Sequence, residues 1–221
     1  MTTWSAVEAA PLPQSDAPSA PEVFEGVEFP HGEISFADRV VRYKSGAQVE
    51  SPFDDPANAL GPPDYDSRAD TGSVALGNSE ATCESELVME FVDNLLVDIP
   101  DEDLWIFEIG PSVEATEVYI SSDGEDWIAL GRVEGSKRGI DISGAATPNQ
   151  QFKFVKLCDY PDGNTSRAPY GGPDIDAVGA IGTIPVETVT PPAHTSTQIA
   201  GISMVWWVFV VSWVSLCWGL G

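Results

Sequence analysis

Short runs of apolar and β-branched residues recur along the middle of the chain, and clusters of Pro, Gly, Asp and Asn separate them. The runs cover residues 34–41, 73–76, 87–91, 104–108, 117–121, 127–133, 152–157 and 175–182. Runs of this length and composition are typical of β-strands, and their spacing is that of a sandwich. No stretch between them keeps a helical apolar period. The pattern predicts an all-β domain, a β-sandwich of the jelly-roll type.

One hairpin is visible in the sequence itself. Asp123 and Gly124 stand between the strand-like segments VYISS and EDWIALG. Because a tight hairpin turn needs positive φ at its centre, an Asp-Gly pair between two such segments predicts antiparallel strands on either side.

The composition changes at both ends of the predicted domain. Residues 1–32 are rich in Ala, Pro, Ser and Glu and show no periodicity, which predicts a disordered arm. The domain is then expected over residues 33–183. Residues 184–198 are rich in Pro and Thr and are expected to form an extended stalk. No basic stretch precedes an apolar run near the start, so we expect no secretory signal there.

Residues 199–221 are apolar and carry no charge. A segment of this length can cross the hydrocarbon layer of a bilayer as one helix. It predicts a C-terminal transmembrane helix that contacts membrane lipid, with the domain outside the cell. A membrane-sorting signal for a glycolipid anchor is the alternative for the same segment.

The charge is strongly negative: 35 acidic residues stand against 10 basic residues, which gives −25 at pH 7. Such a surface repels phosphate, so nucleic-acid binding is not expected. The acids are scattered from Glu8 to Glu187. This distribution favours either a solvated acidic surface suited to saline or extracellular conditions, or a protein that binds cations.

The histidines and cysteines exclude several kinds of site. His31 lies in the predicted arm and His194 in the stalk, so histidine catalysis is poorly supported and we expect no enzyme. The spacing of Cys83, Cys158 and Cys217 matches no zinc pattern. Cys83 and Cys158 are expected either to form a disulfide or to remain as two buried thiols.

Two loop regions gather oxygen ligands. The first, GPPDYDSRADTG, contains Asp64, Asp66 and Asp70; the second, CDYPDGNTSRAPYGGPDIDAVG, contains Asp159, Asp162, Asn164, Asp174 and Asp176. Ca²⁺ prefers such oxygens, so these loops are candidate calcium ligands. Asp174 and Asp176 are expected to share a face and to need a cation or an arginine between them. Capping of the loops by aspartate is the competing explanation.

The same loops contain candidate ligand-binding residues. Tyr65, Tyr160 and Tyr170 lie there with Arg68 and Arg167. Loop tyrosines beside carboxylates suit a sugar, because the ring stacks on the sugar while the acids accept hydroxyl protons. Anchoring of the loops onto the sheet is the alternative role. The strand aromatics, Trp105, Phe107 and Trp127, are expected in the core instead.

VYISSDGEDWIALG resembles the strand-turn-strand of discoidin-like (coagulation factor type C) domains of the galactose-binding-like superfamily. DPANALGPPD, SELVMEFVDN and FKFVKLCD are similar to further segments of these domains, in the same order. DLWIFEIG and DIDAVGAIG are similar to a looser group of bacterial cell-surface and secreted proteins. The resemblance implies a jelly-roll with binding loops at one end, often a bound Ca²⁺, and usually no catalysis.

These observations together predict a membrane-anchored binding or adhesion module of the cell surface, supported by calcium. Its expected partners are an extracellular glycan or a cell-surface protein. Two alternatives remain: a purely structural surface protein, and a hydrolase that uses loop carboxylates.

Overall fold

The computed structural model describes residues 20–110, 113–135, 138–161 and 166–186, and these residues form an all-β structure. The strands are β1 (Glu22–Phe24), β2 (Val27–Phe29), β3 (Arg39–Lys44), β4 (Val74–Ala75), β5 (Glu86–Glu90), β6 (Asn94–Val97), β7 (Leu104–Glu108), β8 (Val113–Ser121), β9 (Ile128–Gly135), β10 (Gly139–Ile140), β11 (Gln151–Phe152), β12 (Phe154–Asp159), β13 (Asp174–Ala180) and β14 (Thr183–Pro185). Two 3₁₀ turns, Gly32–Ser35 and Pro56–Ala59, complete the regular elements. The predicted all-β class is confirmed for these residues.

The strands form antiparallel sheets. The largest has the order β3-β5-β12-β8-β9, and a second has the order β10-β7-β13-β4. A three-stranded sheet has the order β11-β6-β14, and β1 pairs with β2 as a separate hairpin. Neighbouring strands along the chain are often far apart in the sheets, so loops from distant parts of the sequence meet at the sheet ends.

The five-stranded and four-stranded sheets pack face to face. Strand β12 shows why: Val155 and Leu157 are fully buried, whereas Phe154 and Lys156, which alternate with them, are partly exposed. The fully buried side chains of both sheets form one cluster, which includes Leu87, Met89, Val118, Ile120, Val155 and Leu157 from one sheet and Leu104, Val178 and Ala180 from the other. Burial of each large side chain contributes about 1.5–3 kcal/mol. The domain is therefore a β-sandwich.

A second cluster covers the other side of the four-stranded sheet. Phe29 and Phe36 pack on Phe107 of β7, with ring centroids 6.0 Å apart in both pairs. Composition predicts a disordered arm over residues 1–32, and the structure corrects this prediction from Glu22 onward. Phe24 and Phe29 of this segment, and Phe36 just after it, pack against the four-stranded sheet. These contacts hold the β1–β2 hairpin against the sheet.

The strand aromatics differ in their burial. Phe107 is 1% exposed, as expected of a core residue, and Trp105 is partly buried beside it. Trp127 is different: it is only partly buried and belongs to neither core cluster.

The hairpin predicted at Asp123-Gly124 is present, because β8 and β9 pair in antiparallel register. Its turn is longer than a two-residue loop, since β8 ends at Ser121 and β9 begins at Ile128. Gly124 has φ +80°, which L residues rarely adopt. The Asp123 carboxylate accepts hydrogen bonds from the backbone amides of Glu125 and Asp126.

The C-terminal boundary of the sandwich lies slightly beyond the predicted residue 183, because β14 continues to Pro185 and pairs with β6. Residues 187–198 of the predicted stalk and the predicted membrane segment 199–221 lie outside the described residues. Among the residues described, there is no helix with the length and apolar character needed to span a membrane.

Candidate functional site

Two loops meet around the carboxylate of Asp70. The Tyr65 hydroxyl donates a hydrogen bond of 2.8 Å to its Oδ1, and the Tyr170 hydroxyl donates one to its Oδ2. All three side chains are partly exposed. We call Tyr65, Asp70 and Tyr170 the tyrosine–aspartate cluster. It joins both predicted loops, because Tyr65 and Asp70 precede β4 while Tyr170 precedes β13.

The first of these loops is closed by its own polar groups. The Asp66 carboxylate accepts hydrogen bonds from the backbone amides of Arg68 and Ala69, and Asp66 and Thr71 form an isolated β-bridge. Asp66 therefore acts as a loop cap, as the competing explanation expects. This closure places Tyr65 and Asp70 next to each other.

Tyr170 is held by the sandwich. Its ring packs on Phe53, with centroids 4.5 Å apart, and Phe53 is 1% exposed. Its backbone forms an isolated bridge with Val49 and donates a hydrogen bond to the Arg167 carbonyl. One ring face of Tyr170 is thus anchored to the protein.

The hydrogen bonds of the cluster fix its charge. Those from Tyr170 and Tyr65 hold the pKa of Asp70 below its usual value, because they favour the ionised carboxylate. The bond to Asp70 raises the pKa of Tyr65 to about 12. At neutral pH the cluster therefore presents one carboxylate between two protonated phenols.

Buried acids lie behind the cluster. Burial, together with the negative charges of Glu114 and Asp70, raises the pKa of Asp174 to about 7. Its Oδ1 is buried without a hydrogen-bond partner. Glu108 is 3% exposed; burial raises its pKa to about 8, although both its oxygens accept a hydrogen bond from the Glu114 amide. Protons therefore neutralise part of this group near neutral pH.

Asp176 has a different role from Asp174. It is 2% exposed, and its Oδ1 accepts a hydrogen bond of 3.0 Å from the backbone amide of Asp64. Burial raises its pKa to about 7, and the negative charges of Glu25 and Asp64 also raise it. A β-bulge between Ile175 and Ala177 interrupts the strand at this residue. The two carboxyls that were expected to share a face have different neighbours.

The other candidates are dispersed. Asp159 is fully buried, and its Oδ2 accepts a hydrogen bond from the Ser79 amide. The ring of Tyr160 lies 4.4 Å from the Arg132 guanidinium carbon. Arg68 and Arg167 are exposed and contact the site through their backbones. The remaining two candidates, Asp162 and Asn164, lie outside the described residues.

A different set of acids in the described residues lies close enough to share a cation. The carboxylate oxygens of Asp98, Asp103 and Asp141 are within 4.8 Å of one another. Asp103 is fully buried and accepts hydrogen bonds from the amides of Ile99 and Ile142. Asp98 and Asp103 share the loop between β6 and β7, whereas Asp141 follows β10, so spacing along the sequence does not reveal the group.

Sequence reasoning did not single out Glu108 and Glu114 as part of the site. Glu108 ends the apolar run LWIFE, and a charged residue at the end of a buried strand is the one sequence signal that could have indicated its role.

A shallow cleft of about 230 Å³ lies away from this site, beside the β8–β9 turn. Its lining residues are Ser122, Asp123, Asp126, Ile128, Gln150 and Phe152.

No protein-family model matches the chain, and no curated protein is found to be similar to it. Among solved structures, it is similar to the C-terminal domain of a chitobiase from Bacteroides fragilis, with 13% sequence identity and a TM-score of 0.40. The likeness covers 67% of this chain and 94% of that domain. At this distance it carries no argument about fold or function.

Proposed function

We propose that the chain is a binding module displayed at a cell surface, with a carbohydrate ligand held at the tyrosine–aspartate cluster. The observation that carries the proposal is the ionised Asp70, which two phenols hold from opposite loops on a partly exposed surface. Fixed polar groups beside aromatic rings are the usual components of a small-molecule site.

The chemistry of the cluster suits a sugar. Each oxygen of an ionised carboxylate accepts more than one hydrogen bond, and each oxygen of Asp70 uses one for a tyrosine. The remaining lone pairs can accept protons from sugar hydroxyls. The partly exposed aromatic ring of Tyr65 offers an apolar surface on which the C–H face of a sugar ring can pack.

The proposal also includes how the domain is attached to the membrane and how it binds Ca²⁺. The sandwich is a jelly-roll whose loops bind the ligand, residues 199–221 anchor it in membrane lipid, and the domain lies outside the cell. Ca²⁺ stabilises the loops through oxygens such as those of Asp64 and Asp176. The uncharged tail and the acidic loops of the sequence support these parts.

Binding of the full chain to a glycan array tests the ligand assignment. Asp70→Asn keeps the size of the side chain but removes its charge, and we expect it to abolish the signals of the wild type. Tyr160→Phe is the matched control, because Tyr160 packs against Arg132 rather than Asp70. A silent wild-type array, or equal binding by Asp70→Asn, contradicts the proposal.

Thermal melting of the full chain in Ca²⁺ and in chelator tests the metal assignment. A ligand that binds only the folded state stabilises it by about 2.7 kcal/mol at a hundred times its Kd. We therefore expect a higher melting temperature in Ca²⁺, and a smaller gain in Asp176→Asn. Equal melting temperatures in the two buffers contradict calcium binding.

One observation favours a second candidate function, glycoside hydrolysis. The pKa of Asp174 is raised by burial to about 7, while that of its neighbour Asp70 is lowered by tyrosine hydrogen bonds. A protonated acid beside an ionised carboxylate is the pair that such hydrolysis needs. Release of nitrophenol from aryl glycosides, lost in Asp174→Asn, would support an enzyme; no turnover by the wild type excludes it for those substrates.

A further inference from the structure

The basic residues of the chain are concentrated on one sheet. Six of the ten adjoin or belong to the five-stranded sheet: Arg39, Arg42, Lys44, Arg132, Lys153 and Lys156. In a chain with 35 acidic residues, this sheet carries most of the cations that could attract a negatively charged partner.

Most of these cations already have a carboxylate partner. Arg39 and Lys153 both contact Glu90, which is 1% exposed, and Arg42 lies 2.7 Å from Glu86. Their charges are therefore largely balanced within the sheet.

Lys156 is an exception among the described residues. In the described part of the chain, no carboxylate lies within 4.0 Å of its ammonium group, and the group has no hydrogen-bond acceptor. Its Nζ instead lies 4.3 Å from the ring centroid of Tyr119 and 4.5 Å from that of Trp127. Burial lowers its pKa, and the more distant negative charge of Glu86, which pairs with Arg42, acts in the opposite direction. The three donors of this ammonium therefore have no acceptor among the described residues.

The sheet register places Lys156 on the outer face. It pairs with Tyr119 on β8 and with Val88 on β5, and Val88 also pairs with Arg42 on β3. Directly paired residues of antiparallel strands point to the same side. The neighbouring row, which includes Val155, faces the core. Both rings beside Lys156 are partly exposed, so a ligand can reach them from solvent.

We propose that this outer face is a second binding site, in which Lys156, Tyr119 and Trp127 hold a glycan that carries carboxylate or sulfate groups. The acidic group pairs with the Lys156 ammonium, and the sugar ring lies against the aromatic rings. This site is separate from the tyrosine–aspartate cluster and does not rest on the function proposed there.

The chemistry favours a glycan over the other acidic partners. An aspartate or glutamate of a protein engages the ammonium alone, whereas an acidic sugar engages the ammonium and also packs its ring against the exposed parts of Tyr119 and Trp127. A nucleic acid needs several free cations along its phosphates, and the ion pairs of this sheet leave few. At about 0.15 M salt the Debye length is about 8 Å, so the acids beyond that distance are largely screened.

Calorimetric titration of the full chain at about 0.15 M salt tests the site. The probes are polygalacturonate, which carries carboxylates, chondroitin sulfate, which also carries sulfates, and neutral dextran. We expect Asp70→Asn, which lacks the charge of the tyrosine–aspartate cluster, to bind at least one anionic polymer and not dextran. The difference between the two anionic polymers identifies the preferred group. Lys156→Met keeps the alkyl stem and should weaken binding about tenfold, the size expected for a lost charged hydrogen bond.

Three control variants test whether a loss of polymer binding in Lys156→Met comes from this site. Lys156→Arg keeps the charge and should retain binding, which attributes the loss in Lys156→Met to the missing charge. Arg68→Met removes an exposed cation elsewhere and should bind like the wild type. Asp70→Asn should also leave this binding unchanged, so failure here and failure of the proposed function are distinguishable.

Several outcomes overturn the proposal: no binding of either anionic polymer, equal binding of dextran and the anionic polymers by Asp70→Asn, or equal affinity of wild type and Lys156→Met for the anionic polymers. Sedimentation of the protein without any polymer tests whether this face binds a second copy of the chain instead. A mass that rises with concentration in the wild type but not in Lys156→Met would assign the face to an acidic surface of a second copy, and would overturn the glycan assignment.

Discussion

Tyr170 donates a hydrogen bond to Asp70, although the two residues are 100 positions apart in the sequence. Tyr65 donates to the same carboxylate from only five positions away. The first contact joins two loops, whereas the second lies within one loop. The two phenols therefore make similar hydrogen bonds with different structural consequences.

We expect Tyr170→Phe to lower the melting temperature more than Tyr65→Phe. Loss of the Tyr170 hydroxyl releases the contact between two loops, whereas loss of the Tyr65 hydroxyl leaves a loop that Asp66 still caps. Differential scanning calorimetry of the two variants measures the difference. An equal or larger effect of Tyr65→Phe would show that the inter-loop contact does not stabilise the domain.

The buried acids make stability depend on pH. Glu108 has an ordinary pKa of 4.5 in the unfolded chain, and burial raises it to about 8 in the folded protein. Between these values the folded state holds a proton that the unfolded state has released. The free energy of unfolding should therefore fall as pH rises from about 5 to about 8, by at most about 1.4 kcal/mol per pH unit for this group.

Urea unfolding across this pH range provides the measurement. Glu108→Gln removes the titrating group but keeps the shape of the side chain, so the fall in its unfolding free energy should be shallower than in the wild type. Asp174, whose pKa is raised by burial to about 7, contributes in the same direction. Stability that rises between pH 5 and 8, or identical slopes in both proteins, would contradict the assignment.

The disulfide between Cys83 and Cys158 should contribute strongly to stability, because it links residues 75 positions apart. In the chain-entropy model a loop of this length gives about 4 kcal/mol. We expect Cys83→Ala/Cys158→Ala to lower the free energy of unfolding by about that amount in guanidinium titrations. Cys217→Ser is the matched control and should leave it unchanged. A double variant as stable as the wild type would contradict the prediction.

Strands buried on both sides were predictable from the sequence. The run 104–108 coincides with β7, because apolar residues fill both faces of that strand. The run 34–41 is wrong in its position: a 3₁₀ turn ends at Ser35, and β3 begins only at Arg39. This strand, RVVRYK, lies at the sheet edge with charged residues toward water, so its apolar signal is weak.

The N-terminal hairpin and the site were harder to predict, since both depend on contacts between distant residues. Phe24 and Phe29 stand in a Pro- and Glu-rich segment, and their role appears only when β7 and β13 provide a surface for them. The alternation expected at Asp174 and Asp176 fails because a bulge interrupts β13. Trp127 was expected in the core, but the cation of Lys156 holds it at the surface.

Gly179 of β13 provides a test of how the N-terminal hairpin is attached. A Cβ added there would lie 2.5 Å from the Phe29 ring and 2.9 Å from the Phe36 ring, closer than real contacts allow. We expect Gly179→Ala to displace the hairpin and to increase hydrogen exchange over residues 22–36, while amides of the inner core keep their protection. Gly144→Ala is the matched control, because a Cβ at Gly144 meets no atom within 4 Å. Unchanged exchange over residues 22–36 in Gly179→Ala would show that these aromatic contacts do not hold the hairpin, and loss of protection throughout would show that hairpin and sandwich unfold as one unit.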